Sequence, residues 1–363
     1  MIRRRRSSIV ILSILLTFTL SLLTWIEWEE EPLYELPDFL HPFQANQSSP
    51  PSLRSSATLY DSNFSFSLNL SEYSMQYPAL QSYRCRAAID LFGYCWTNDP
   101  LILLAVKSHP ASFTRRDVLR QTWAREKKIM EYRVKPVFLM ANSGKRHQME
   151  RVVKEAFSNG DIILWDFLES HHNLSLKERC FLEWIYHRCP EAKYIFKGDD
   201  DEFVNPYAIV SYIQHSLPPH PLEIHGQLQI HPPPERSGKY AVPFSLYPHG
   251  HYPPFVSGGG FLLPGELIPS LYLAASTIPV FPLDDVFFGF LALSANITFH
   301  HEPRFCSFGL KANRLCQYVD VLVVHGLTPK KMLEIWKYLP NTASCPPSER
   351  TPTEDTKRKT LVK

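Results

Sequence analysis

Between residues 101 and 216 the chain alternates two kinds of pattern, and that alternation limits the folds open to it. Leu101–Val106 is a continuous apolar run of strand length, and Arg115–Arg125 then reads as a helix. Val134–Met140 is a second strand, after which Met149, Val152, Val153, Ala156 and Phe157 recur at helical spacing. Ile162–Trp165 is a third strand. Leu176, Cys180, Phe181, Trp184 and Ile185 mark another helix, and Tyr194–Lys197 is a fourth strand. Strands alternating with helices predict an α/β fold, a mainly parallel sheet with helices on both faces. After Pro218 the order loosens, with prolines at 232–234, 243, 248, 253 and 254, so long loops are expected there. No period of roughly 20–50 residues recurs, which excludes a repeat solenoid.

The N-terminus speaks to compartment. Arg3, Arg4, Arg5 and Arg6 are followed by Ser7–Ile26, which carries no charge, and then by Glu27, Glu29, Glu30 and Glu31. Twenty helical residues span about 30 Å, the thickness of a bilayer core. Cations stay on the cytoplasmic side, so residues 1–6 are expected inside and the body outside, with Trp25 and Trp28 at the far interface. A cleaved signal peptide is the alternative. Against it, the apolar run is long and no small-residue cleavage site follows. Five Asn-x-Ser/Thr sequons (Asn46, Asn63, Asn69, Asn173, Asn296) and seven cysteines fit an oxidising, glycosylating compartment.

Short spacings suggest bridges between Cys85 and Cys95 and between Cys306 and Cys316, with Cys345 left over. Cys180 and Cys189 would lie about 13 Å apart on one helix, beyond disulfide reach. Residues 27–82 are rich in Pro, Ser, Asn and Leu and read as a stem. Residues 83–340 form the body, and the polar residues 341–363 are expected to be a disordered tail. A net charge of +2 gives no support to a nucleic-acid partner.

Three carboxylates, Asp199, Asp200 and Asp201, follow the fourth strand directly. In open α/β sheets, ligands bind at the carboxyl ends of strands. Alternate residues of an extended segment point the same way, so Asp199 and Asp201 can share a target. Three packed like charges need a cation, and hard oxygen ligands suit Mg²⁺ or Mn²⁺, which also bind diphosphate. The plain alternative is a solvated acidic turn before the helix near Asn205. A second pair, Asp284–Asp285, has apolar flanks that would desolvate a carboxylate and raise its pKa, as a general base requires. The same pair would also serve as a helix N-cap.

Lys107, Arg115, Arg116 and Arg120 cluster at a strand end and a helix start, a natural phosphate site or an ordinary basic helix face. His325 ends the run Asp320-Val-Leu-Val-Val-His, as a metal ligand or as a structural histidine. Gly258-Gly259-Gly260 lacks the spacing of a dinucleotide fingerprint but permits close backbone approach to a ligand. The chain has no P-loop, no H-E-x-x-H, no G-x-S-x-G and no zinc-ligand cysteine spacing.

Together these blocks resemble, in order, the motifs of the inverting β-1,3-glycosyltransferases. Lys107-Ser108…Arg115-Arg116-x-x-x-Arg120-x-Thr122-Trp123 resembles the opening motif, and Asn173-Leu-Ser-Leu-Lys177 followed by Trp184 the second. Phe196-Lys-Gly-Asp-Asp-Asp-x-Phe-Val-Asn205 is similar to the D-x-D block. Tyr252-Pro-Pro-Phe-x-x-Gly-Gly-Gly-Phe261 and Asp284-Asp-Val-x-x-Gly289 resemble the last two. The Gly-Gly-Gly-Phe and Asp-Asp-Val forms are most like the N-acetylglucosaminyltransferase branch.

The resemblance implies a Rossmann-like mixed sheet of the GT-A type. It also implies transfer of N-acetylglucosamine from UDP-GlcNAc to the 3-hydroxyl of a terminal β-galactose, with inversion and Mn²⁺. A UDP-galactose donor and a catalytically silent glycan binder are the alternatives. By resemblance, Asp201 and His325 would ligate the metal, and Asp199 and Asp200 would hold the ribose and sugar. Lys107, Arg115, Arg116 and Arg120, with Gly258 and Gly259, would line the donor site. Asp285 would be the base, with Asp284 in reserve. A type II Golgi membrane protein, with room for a homodimer, is the implied setting. Two departures, Gly226-Gln227 and an insertion around His249–His251, fall where an acceptor would bind.

Overall fold

The computed structural model describes residues 56–62, 64–217, 222–310, 314–339 and 345–350. The expected cytoplasmic tail, the membrane anchor at 7–26, Asn46, Asn63 and residues 351–363 lie outside them. Among the described residues, no helix is long and apolar enough to cross a membrane.

The chain opens with a hairpin, β1 (Ser56–Asp61) and β2 (Phe64–Asn69), then α1 (Leu70–Gln76) and α2 (Pro78–Ser82). Next come β3 (Ala87–Ile89), β4 (Leu101–Lys107), α3 (Phe113–Gln121), β5 (Lys127–Ile129), β6 (Tyr132–Asn142) and α4 (Arg146–Asn159). They are followed by β7 (Ile162–Leu168), α5 (Leu174–Arg188), β8 (Ala192–Asp199), β9 (Phe203–Val204) and α6 (Pro206–Ser216). The second half contains β10 (Glu223–Gln229), β11 (Phe255–Pro264), α7 (Ile268–Thr277), α8 (Asp284–Ser294) and β12 (Thr298–His301). It ends with β13 (Phe305–Cys306), β14 (Val323–Val324), α9 (Pro329–Tyr338) and α10 (Pro347–Arg350).

The main sheet has the order β12-β10-β11-β8-β4-β6-β7-β3, with β5 added to β6. Its centre, β8-β4-β6-β7, is parallel as expected. The flanks make it mixed, because β11 runs antiparallel to both β8 and β10, and β3 antiparallel to β7. All seven residues of β4 are buried, as a strand covered on both faces requires. Its side chains alternate between two cores. Leu101, Leu103 and Ala105 pack with α5, α7 and α8, whereas Ile102, Leu104 and Val106 pack with α3, α4, α6 and α9.

Helix α3 stops at Gln121, not Arg125. Trp123 leaves the helix path to bury completely, and its indole N–H donates to the Glu202 carbonyl at 2.9 Å. Helix α6 starts as its sequence directs: Asn205 caps it by accepting from the Ala208 N–H, and Pro206 follows.

Three expectations need correction. The stem does not extend to residue 82. Phe66, Leu68, Tyr73 and Leu80 are buried in the main core, and the Phe66 ring meets Phe290 of α8 at 6.2 Å. The Gln81 amide donates to the Val280 carbonyl at 2.8 Å and accepts from the Val280 N–H at 3.0 Å. The inserted residue His249 accepts from the Ser67 N–H, so the insertion is held by this same N-terminal segment.

The disulfides are long-range: Cys85–Cys180, Cys95–Cys189 and Cys316–Cys345. Cys180 and Cys189 are indeed not bonded to each other, but each ties α5 to the strand-poor segment before β4. The free cysteine is the buried Cys306, not Cys345. The bridge to Cys345 also fixes residues 345–350 to the body, so this part of the expected tail is ordered.

Candidate active site

The carboxyl ends of β4 and β8 lie side by side, with Lys107 opposite Asp199 in the parallel register. This is where ligands enter open α/β sheets. Strand β11 brings Gly258 and Gly259 to the same place, and the N-terminus of α8 brings Asp284 and Asp285. Together they line a cleft of about 1260 Å³.

Lys107 is the buried centre of the charge pattern. Its Nζ lies 2.6 Å from Asp284 Oδ2 and 3.3 Å from Asp199 Oδ1. Burial alone would lower the ammonium pKa, but the facing Asp199 and Asp284 carboxylates raise it well above the ordinary lysine value. Asp200 turns a different way. It accepts from Ser108 Oγ at 2.7 Å and from Arg115 Nη1 at 2.7 Å.

Asp199, Asp201 and His325 each present a ligand atom within 4.8 Å of the others. His325 Nε2 is 3.4 Å from Asp201 Oδ1. The backbone holds this geometry: the Leu327 N–H donates to the Asp201 carbonyl and the His325 N–H to the Cys306 carbonyl. Two carboxylates and one imidazole form a donor set that suits Mn²⁺ or Mg²⁺. Asp199 thus lies with Asp201 and His325 rather than with Asp200, a different grouping from the one the resemblance implies.

Asp284 and Asp285 are the first two residues of α8, and the cap itself is Leu283. The two carboxylates differ in partners. Burial pushes Asp284 up, but Lys107 outweighs it and holds the group below its usual range. Among the described residues, no such cation lies at contact distance from Asp285. Burial, reinforced by the neighbouring Asp284 charge, pushes it up to about 7. One of its oxygens accepts from the Val286 N–H at 2.8 Å. Gly258 lies beside both groups, since a Cβ there would be in ordinary contact with Asp285 Cβ at 3.7 Å and Lys107 Nζ at 3.8 Å.

Two basic residues do not reach the cleft. Arg116 is fully buried, donating to Glu155, Ser108 Oγ and the His109 carbonyl. Arg120 forms a two-pronged pair with Asp161 and also meets Glu155. Their helix turns them toward α4 and the start of β7, so Lys107 and Arg115 alone of the four line the cleft. The glycines 258–260 lie inside strand β11, not in a loop, and Gly260 has φ +99°, which favours glycine.

Some contributors were given no role from the sequence. Glu202 is fully buried, and among the described residues no side chain donates to its carboxylate. Burial, then the Asp199 charge, raises it well above its ordinary pKa. A Cβ at Gly198 would lie 2.0 Å from its carboxylate, so the glycine makes its room. Lys177, paired with Glu169 at 2.8 Å, donates to the Ser108 carbonyl and lines the cleft floor. Ser108, beside Lys107, was a visible signal; Lys177 and Glu169 meet only through the fold.

A family model described as Galactosyltransferase matches residues 114–303. The chain is 34% identical over 296 residues to the UDP-GlcNAc:betaGal beta-1,3-N-acetylglucosaminyltransferase 7 of Rattus norvegicus, covering 76% of this chain and 74% of that protein. It is 34% identical over 250 residues to the N-acetyllactosaminide beta-1,3-N-acetylglucosaminyltransferase 2 of Mus musculus, covering 66% and 63%. It is 35% identical over 260 residues to the human acetylgalactosaminyl-O-glycosyl-glycoprotein beta-1,3-N-acetylglucosaminyltransferase, covering 67% of each. With more than half of its length under one family model and 34% identity to the Rattus norvegicus protein over 76% of its own length, the chain belongs to the β-1,3-glycosyltransferase family, in its N-acetylglucosaminyltransferase branch.

Proposed function

We propose that the protein transfers N-acetylglucosamine from UDP-GlcNAc to the 3-hydroxyl of a terminal β-galactose, with inversion and a divalent cation, Mn²⁺ by preference. The observation that carries this reading is the division of labour in one cleft. A cation-ligand trio, Asp199, Asp201 and His325, stands beside a desolvated carboxyl, Asp285, that has no basic partner at contact distance among the described residues. The names of the relatives supply the donor sugar, the β-1,3 linkage and a galactose acceptor.

In this mechanism Asp285 accepts the proton of the acceptor hydroxyl as that oxygen forms its bond to the anomeric carbon. The bond from that carbon to the diphosphate breaks on the opposite face, and UDP leaves with the electron pair. Attack from the face opposite UDP turns an α-linked donor into a β product. When bound, the cation offsets charge on the diphosphate. Asp201 and His325, with Asp199, would hold it. Lys107 keeps Asp284 ionised and inert, so Asp285 rather than Asp284 carries the proton. Arg115 and Ser108 fix Asp200 at the donor end of the cleft.

We further propose a lumenal, type II placement in the Golgi membrane. The cationic Arg3–Arg6 segment, the uncharged run to Ile26, the sequons and three disulfides support it.

The test is transfer by the purified body (residues 46–363) with Mn²⁺, a panel of UDP-sugars, and lactose or N-acetyllactosamine as acceptor. Product from UDP-GlcNAc with a new β-1,3 linkage is expected. Product from UDP-galactose alone would overturn the donor. No transfer from any donor, with Mn²⁺-dependent UDP binding intact, would point to a glycan binder.

A further inference from the structure

We infer that Phe308 is the platform on which the acceptor sugar stacks, and that Gln227 is the residue that positions it; the inference rests on the transferase reading above. Phe308 is 73% exposed yet forms part of the cleft wall with Gly258, Gly259 and Asp285. The other large rings of that wall are buried or already in contact. Tyr252, Phe255 and Tyr318 are buried, and Tyr240, less exposed than Phe308, meets the His171 ring at 5.3 Å. Phe308 makes no ring contact among the described residues. An apolar ring left in water inside a polar cleft marks a place for a ligand.

Its neighbours show that the position is held. Ser307 is buried; its N–H donates to Gln227 Oε1 at 3.0 Å and its Oγ donates to the Gly259 carbonyl at 3.1 Å. A Cβ at Gly259 would fall 2.9 Å from Ser307 Cβ, so glycine lets strand β11 lie directly against this loop. Gly258, the next residue along, lies over Asp285. The ring is therefore fixed through Ser307, Gly259 and Gly258 to the wall that carries the base. Gln227 sits at a register irregularity between Gly226 and Leu228, which takes it out of the β10–β11 ladder and frees its side chain for Ser307.

The chemistry of the occupant follows. A β-galactose has its axial 4-hydroxyl on one face and the C–H groups of carbons 3, 4 and 5 on the other. Stacking that apolar face on Phe308 leaves the 3-hydroxyl at the ring edge, where it can meet Asp285. A sugar with an equatorial 4-hydroxyl offers a less continuous apolar face.

The experiment is an acceptor titration with lactose at saturating UDP-GlcNAc and Mn²⁺, with a parallel donor titration. Phe308→Ala should raise the acceptor KM roughly tenfold, the scale of one lost aromatic contact, while the donor KM moves by less than about twofold. Phe308→Tyr should keep the low acceptor KM. Gln227→Leu should raise the acceptor KM in the same direction. Gln227→Glu, which still offers an oxygen to the Ser307 N–H, should restore it. An unchanged acceptor KM in Phe308→Ala, or donor and acceptor KM rising together, would overturn the inference and leave the transferase reading standing. A wild-type chain with no transfer from any UDP-sugar would overturn both.

Discussion

Lys107 Nζ stands 2.6 Å from Asp284 Oδ2, and this one ion pair separates two adjacent aspartates into different chemical states. Asp284 is held ionised by a charge it cannot escape. Asp285, one residue later, faces the cleft with burial and a like charge acting on it, which is how a carboxylate gains basicity.

Asp285→Asn should lower kcat by about 10²–10⁴-fold, the usual contribution of a positioned base, while UDP binding persists. The wild-type rate should climb with pH as Asp285 deprotonates, with the acid limb at or below about 7 because a bound cation favours the ionised form. A pH–rate profile of wild type checks this. A flat profile from pH 5 to 8, or full activity in the Asn variant, would remove Asp285 from the mechanism.

The same group predicts a stability change of definite sign. Its folded pKa of about 7 lies above the ordinary 3.8, so the folded chain keeps a proton that the unfolded chain releases. That contribution favours folding in full below about pH 4 and is lost as pH rises toward 7. Asp285→Asn should therefore melt a few degrees higher than wild type at pH 8, with the gap closing in acid. Thermal scans of both proteins at pH 4.5 and pH 8 would read it.

Removing Lys107 leaves the largely covered Asp284 and the partly exposed Asp199 without their cation. Lys107→Met should cost about 3–5 kcal/mol of stability, the scale for breaking a buried pair by removing one partner. Urea unfolding of the metal-free protein measures it, and a loss under about 1 kcal/mol would mean that water replaces the ammonium.

Asp201→Ala and His325→Ala should each weaken Mn²⁺-dependent UDP binding. The loss should be no smaller than the roughly 10–100-fold that outer-shell partners command at metal sites. Arg120→Ala should leave that affinity unchanged, because its partners are Asp161 and Glu155 rather than the cleft. Calorimetric titration with and without Mn²⁺ distinguishes the cases.

The N-terminal boundary is testable as well. A chain beginning at residue 83 loses Phe66, Leu68, Tyr73 and Leu80, each worth about 1.5–3 kcal/mol when buried, and should not fold stably. In the longer chain, Gln81→Leu should cost about 1–3 kcal/mol by stranding the Val280 backbone groups just before α8. Equal melting temperatures for the chains starting at 46 and 83 would return these residues to the stem.

Local pattern carried a good deal. The six apolar residues that precede Lys107 in β4, the helical spacing of α4 and α5, and the Asn205-Pro206 start of α6 are written in near neighbours. So is the clustering of Asp199–Asp201, since three acids after a buried strand leave few other uses. The Phe64-Ser-Phe66-Ser-Leu68 alternation was equally local, a two-residue period inside a segment whose composition suggested a stem.

Partners distant in sequence were decided only by the fold. Arg116 and Arg120 resemble phosphate ligands in one dimension, but α3 rotates them onto Glu155 and Asp161, about forty residues away. Cys85 chose Cys180 over its near neighbour Cys95 because α5 packs beside the segment leading into β4. Residue type and spacing determined which carboxylates, ammonium and guanidinium groups and imidazoles this protein has to offer. Packing decided which of them meet. Charge and burial act through space, and the distance from Lys107 to Asp284 spans 177 residues of chain but one ion pair in the folded protein.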